Sequence, residues 1–448
     1  MHCAFCIVFI VLRRMLLIYT PVSSPRLVYI FDFIFQEILG VSYQLTQNVN
    51  EFALSQLPKF SYSESPVRNE IFFFSTRLLF EKGIKEQDIS VFDWEDSKAF
   101  FATHPKYDFP FDPFAASFYL VSRYEEYLPH KRDAHDRFEV KESLAWKKGF
   151  LQKPLIDLWA KRIREIIQKR FPEMVFPKKT YTYISSIDID NAYAFREKGI
   201  VRTAGALVRS FVQLKLSAFL NRILVLAGAR HDPYDTYDDL FALQREYELK
   251  CIYFFLLGDY SENDKNVPVT SKKLQSLIKH IADYNECGIH PSYASNAVPE
   301  KISVEKSRLR KIIRREVTKS RQHFLILKFP LTYRNLIEHD ITDDYSMGHA
   351  GDVGFRASTC TPFLFYDLER DVQTKLRVHP FAMMDATFRY YLKVKPEEAR
   401  NMIKSLMKEV KAVDGTMISL WHNESLSDVQ PWEGWKGLYG QMVKDCRS

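Results

Sequence analysis

At 448 residues, with 46% hydrophobic and 27% charged residues, the chain is too long for one ordinary domain and too apolar to be disordered. Its formal net charge of +7 comes from 63 basic residues interspersed among 56 acidic ones, so there is no basic tail of the kind that binds nucleic acid. With 35 Phe and 24 Tyr the chain has aromatic surface for packing or for stacking on sugars.

Residues 1–12 form an apolar run, but a membrane span needs about 20 residues. Arg13 and Arg14 follow the run, whereas an export signal puts its positive charge first. The expectation is therefore an upstream extension over residues 1–14, no transmembrane segment and a cytoplasmic protein. Six scattered cysteines give no disulfide framework, and the sole Cys-x-x-Cys, Cys3 to Cys6, has no second pair with which to build a zinc site.

Residues 24–40 begin with Ser-Pro and end in Gly, the signature of a buried helix, and the aromatic run 71–74 reads as a strand. A second helix is predicted to start at Asp112-Pro113 and to run through FAASFYLVSRYEEYL, with Arg123, Glu125 and Glu126 on its solvated face. Residues 130–141 read as a polar loop. No catalytic spacing appears in this part, which is assigned to an accessory α/β domain over residues 15–170.

A Lys/Pro-rich link over residues 171–179 precedes an alternation of strands and helices assigned to a second domain, residues 180–448. Strands are expected at 181–187, 251–257, 288–290, 325–329 and 416–420, with helices at 271–285, 304–318 and 396–413. The basic stretch 306–321 carries Leu309, Ile312, Ile313 and Val317 at helical spacing, so its charges read as a solvated face. Such alternation gives a parallel sheet, open or closed into a barrel, and ligands bind such sheets at the strands' carboxyl ends.

Three of those ends carry chemistry. Ser186-Ile187 runs into Asp188-Ile189-Asp190-Asn191, Gly288-Ile289 into His290-Pro291-Ser292-Tyr293, and Ser419-Leu420 into Trp421-His422-Asn423. Two carboxylates and two imidazoles are the inventory for holding a divalent metal and moving protons beside it.

In order and context these segments resemble the NodB-type polysaccharide deacetylases, and the wider pattern looks like a divergent bacterial branch with an N-terminal domain of unknown function. The resemblance spans residues 181–424. It implies a distorted (β/α) barrel and a metal-dependent hydrolase that removes N-acetyl or O-acyl groups from a glycan. It also implies Asp188 as base, Asp190 and His290 as metal ligands, and His422 as general acid. The family's second metal-binding histidine falls on Ala294, and one residue is inserted between the two acids. Ser320-Arg321-Gln322-His323-Phe324 matches the family's third motif loosely, which assigns Arg321 to orienting Asp188 and offers His323 as the missing ligand. Zinc suits this set best, with cobalt, nickel or iron also accommodated. Asn191, Ser292, Tyr293, Arg356 and Trp421 are candidate substrate contacts. Two other readings are open: a non-catalytic carbohydrate-binding protein that has lost a ligand at Ala294, and a glycosyltransferase using Asp188 and Asp190 as an Asp-x-Asp site.

Overall fold

The computed structural model describes residues 15–447, so the apolar run over residues 1–14 and its Cys3–Cys6 pair lie outside the described residues. Four strands, β1 (Met15–Tyr19), β2 (Ser42–Thr46), β3 (Lys59–Ser63) and β4 (Ile71–Phe74), pair in parallel in the order β2-β1-β3-β4. The helix expected over residues 24–40 is capped by Ser24, whose hydroxyl accepts from the Leu27 N–H, and it has two parts. Pro25–Phe31 is α-helical, whereas Asp32–Ile38 widens to a π-helix that ends before Gly40 at a φ of 68°. A short hairpin, β5 (Phe92–Trp94) with β6 (Ser97–Ala99), follows.

The second predicted helix starts as expected, with the Asp112 carboxylate accepting from the N–H groups of Phe114 and Ala115. It stops at Val121, because Arg123 turns left-handed (φ 55°) and leads into a single 3₁₀ turn, Tyr124–Tyr127. The solvated face expected for Arg123 and Glu126 is therefore corrected: they are 1% and 4% exposed. Arg123 Nε donates to Glu126 Oε1 at 2.8 Å, and Arg356 donates to Glu126 Oε1 and Oε2 at 2.9 and 2.6 Å. Burial pushes the Glu126 carboxyl up, but the guanidiniums of Arg356 and Arg123 outweigh it and hold it at about 2.

The second sheet comprises β7 (Thr182–Ile189), β8 (Lys250–Phe255), β9 (Glu286–Ile289), β10 (Lys319–Ser320), β11 (Asp343–Asp344), β12 (Phe363–Asp367), β13 (Val372–Val378), β14 (Met383–Met384) and β15 (Thr416–His422). Their order is β12-β13-β11-β10-β9-β8-β7-β15-β14, with all neighbours parallel except the β12–β13 pair. The expected barrel does not close among the described residues. β13 pairs with β11 on one side and antiparallel β12 on the other, which leaves no edge for β14.

The strand expected at 325–329 is also corrected. Phe324 and Leu325 have φ of 59° and 55°, which interrupts extended backbone, and the chain enters the sheet earlier, at β10. The basic helix is Glu300–Ile313, ended by Arg314 at φ 55°, so Arg321 lies beyond it and is fully buried. Among the described residues eight α-helices escaped the sequence reading: Val49–Leu54, Leu144–Lys147, Leu155–Arg170, Ile200–Val212, Leu216–Leu226, Tyr237–Glu246, Leu331–Glu338 and Trp435–Arg447. Among the described residues no helix is long and apolar enough to cross a membrane. Apolar side chains from both sheets, among them Ile18, Phe60 and Ile187, and from the helices, among them Phe114, Trp159 and Trp435, belong to one continuous core.

Candidate metal centre

β7 is central, with β15 on one side and β8 on the other, and its side chains alternate between two packed faces. That period of two puts Ser186, Asp188 and Asp190 on one face, so the residue inserted between the acids keeps both carboxylates together. The register sets His422 beside Asp188, and Ile289, just before His290, beside Phe255.

Asp190, His290 and His323 each offer one ligand atom, all within 4.8 Å of one another. The His290 Nδ1 faces the Arg321 carbonyl oxygen, which can only accept, so Nδ1 carries the proton and Nε2 points at Asp190 Oδ1, 3.2 Å away. His323 repeats the arrangement: Nδ1 donates to Asp264 Oδ1 at 2.9 Å and Nε2 lies 3.5 Å from Asp190 Oδ2. Two imidazoles fixed through Nδ1, with Nε2 turned to a shared carboxylate, are what metal-binding histidines require of their surroundings. Asp190 Oδ1 is itself buried and makes no well-directed hydrogen bond. An N₂O donor set with an orphaned carboxylate oxygen fits a small divalent cation.

The charges agree. Burial pushes the Asp190 carboxyl up, but the imidazoles of His323 and His290 outweigh it and hold it well below the usual carboxylate range. Burial lowers His323, yet Asp190 and Asp264 raise it to about 9.

Two hydrogen-bonded pairs flank these three residues. Arg321 donates through Nη1 to Asp188 Oδ1 at 2.8 Å, through Nη2 to Ser186 Oγ at 2.7 Å and through Nε to the Tyr345 carbonyl at 2.9 Å. The other Asp188 oxygen is left facing His290 Nε2 at 3.7 Å. Across the site, His422 Nδ1 donates to Asp385 Oδ1 at 2.7 Å while its backbone N–H donates to Asp385 Oδ2, and its Nε2 faces Asp190 Oδ2 at 3.8 Å. Burial lowers the His422 imidazole, but Asp385 at contact distance raises it well above its ordinary value.

A cavity of about 380 Å³ opens over this cluster, walled by Phe324, Tyr390, Tyr391 and Trp432, with Arg137 and Glu424 at its sides. Glu424 is raised to about 7, chiefly by burial. The cavity brings together Asp188, Asp190, His290, His323 and His422, with Arg321 behind Asp188.

None of the five expected substrate contacts lines this cavity. Trp421 alternates to the opposite face of β15 and packs in the core against Tyr439 and Trp435, with ring centroids at 5.2 and 6.4 Å. Arg356 is in the buried pair with Glu126. Ser292 and Tyr293 serve through their backbone N–H groups, to Glu305 and Asp264 respectively, and the Asn191 side chain accepts from Lys198.

Sequence reading missed Asp264, Asp385, Arg137, Glu424 and the aromatic wall. Asp385 had a signal, since Met383-Met384-Asp385 is another short strand ending in a carboxylate. Asp264 lies in a loop and Arg137 comes from the first third of the chain, and neither has a local pattern to mark it.

The site also depends on glycine. A Cβ on Gly288 would lie 2.7 Å from both the Lys319 carbonyl and the Phe254 ring, the ring on which the Arg321 guanidinium sits at 4.6 Å. Gly288→Ala is expected to lower stability by about 1–3 kcal/mol through overpacking. A thermal melt matching wild type would contradict this placement.

The model of a family of unknown function, DUF7033, matches residues 16–172. No curated protein matches the chain. Among solved structures the chain is similar to a candidate polysaccharide deacetylase from Mycobacterium smegmatis, at 12% identity over 61% of this chain and 86% of that one, TM-score 0.41. It is similar to a polysaccharide deacetylase from Bacillus cereus, at 11% identity over 60% and 88% of the two chains, TM-score 0.30. A CE4 family pseudoenzyme from Bacillus anthracis is similar at 10% identity over 59% and 62%, TM-score 0.28. With TM-scores below 0.5, these likenesses assign neither family nor activity to this chain.

Proposed function

We propose that the protein is a metal-dependent hydrolase that removes an acyl group, N-acetyl first among the candidates, from a sugar or polysaccharide. The observation that carries this reading is the convergence of His290 Nε2 and His323 Nε2 on Asp190, between a carboxylate held by arginine and an imidazole held by aspartate. A divalent cation held by Asp190, His290 and His323 would polarise an acyl carbonyl and acidify water beside it. Asp188, one oxygen fixed by Arg321, presents the other as the base that takes the proton of the attacking water. His422, kept cationic by Asp385, donates a proton to the departing nitrogen. The aromatic wall suits the apolar face of a pyranose ring, and 380 Å³ is room for a short sugar segment. His323 occupies the role that Ala294 leaves open, which favours a complete ligand set over a binding protein that has lost one. Imidazole donors likewise disfavour a glycosyltransferase site, where oxygen ligands hold the cation.

The test is acetate release from N-acetylated chito-oligosaccharides by the zinc- or cobalt-loaded protein. Turnover that falls at least a hundredfold in Asp188→Asn is expected. Absence of turnover across N- and O-acetylated sugars, with metal bound, would reject the hydrolase reading.

A further inference from the structure

The four-stranded sheet carries a feature that the metal centre does not use. With the order β2-β1-β3-β4, the chain steps from β1 to one side and returns with β3 on the other, so the loops after β1 and β3 diverge and leave a crevice. In open parallel sheets that switch point, at the strands' carboxyl ends, is where ligands bind. A cavity of about 680 Å³ lies there, formed by residues that directly follow the strands: Val22 after β1, Glu64 after β3, Ser75 and Arg77 after β4.

The cavity is held in shape from behind. Thr76, in its lining, donates from both its N–H and its hydroxyl to Asp112 Oδ2, at 2.7 and 2.8 Å, and Asp112 is the fully buried cap of the helix Pro113–Val121. The aromatic surface is fixed too, since Tyr19 packs on Phe52 at 5.6 Å. Glu64 and Arg77 have no ion-pair partner among the described residues, so the floor is rigid while charged rim groups stand free.

The chemistry of the lining selects the ligand class. The lining holds two carboxylates, Glu64 and Glu81, against one guanidinium, Arg77, a net negative balance that disfavours a polyphosphate or nucleotide. Serine and threonine hydroxyls, carboxylate acceptors, one guanidinium donor and an aromatic ring together match a ligand with many hydroxyl groups and an apolar ring face. We propose that this cavity is a second binding site, for a neutral or amino sugar of one or two pyranose units. It belongs to the other sheet from the metal centre and shares no lining residue with it.

The test uses the full chain stripped of metal, which silences the centre over β7, and titrates it with N,N′-diacetylchitobiose, its deacetylated disaccharide and ADP by calorimetry and ligand-observed NMR. Binding of at least one disaccharide is expected, weakened at least tenfold in Arg77→Ala and in Glu64→Gln. Both positions are exposed, so the variants should melt like wild type. Absence of disaccharide binding, affinity unchanged in both variants, or binding of ADP in place of sugar would each overturn the proposal.

Discussion

Replacing His422 with alanine is expected to lower kcat for N-acetyl hydrolysis by about 10²–10⁴-fold, the usual contribution of a positioned general acid, with little change in KM. The expectation rests on how the ring is held. Asp385 is fully buried and grips the residue twice, at Nδ1 and at the backbone N–H, so the imidazole is fixed with Nε2 toward the cavity. Contact with that carboxylate keeps the ring cationic despite burial. Asp385→Asn should leave the ring in place but remove the charge that raises it, moving the alkaline limb of the kcat–pH profile to lower pH. His422 is not among the three ligands, so His422→Ala should retain metal. A variant that loses metal with activity would make the residue a ligand instead.

The second large effect concerns stability. Glu126→Ala leaves Arg123 and Arg356 buried without their shared carboxylate, and removing one partner of a buried pair costs about 3–5 kcal/mol. The pH dependence has a definite sign. Glu126 titrates at about 2 in the folded chain against 4.5 for a free glutamate, so its stabilisation is complete above the higher value and is lost as pH falls toward the lower. Urea midpoints between pH 7 and pH 3 should therefore fall faster for wild type than for Glu126→Gln, which has no carboxyl to protonate. Parallel slopes would show that this pair does not contribute.

The same network shows where sequence reading reached its limit. Strand ends were legible because buried parallel strands are largely apolar runs that close on an acid or an imidazole, as at Asp188, His290 and His422. Helix starts were legible at Ser24, Asp112 and Ser271, where a capping side chain precedes the apolar pattern. Hidden were groups whose roles depend on residues far away in sequence. Glu126 and Arg356, 230 positions apart, look like surface charges until they meet in the core. Asp264 orients His323 from 59 positions away. Barrel closure was misjudged because the strands that decide it, β12 to β14, are short or form a hairpin, and periodicity does not reveal which edge a hairpin covers. Trp421 lies away from the cavity for a simpler reason: neighbours along a strand alternate faces, so Trp421 points into the core because His422 points out.

The most direct measurement is metal content by elemental analysis of the purified protein, beside Asp190→Ala, His290→Ala and His323→Ala prepared in the same way. Near-stoichiometric zinc or another transition metal in wild type, lost in all three variants, is the expected result and would make His323 the ligand that Ala294 does not supply. A wild type that neither carries metal nor takes it up when added would contradict the account at its centre.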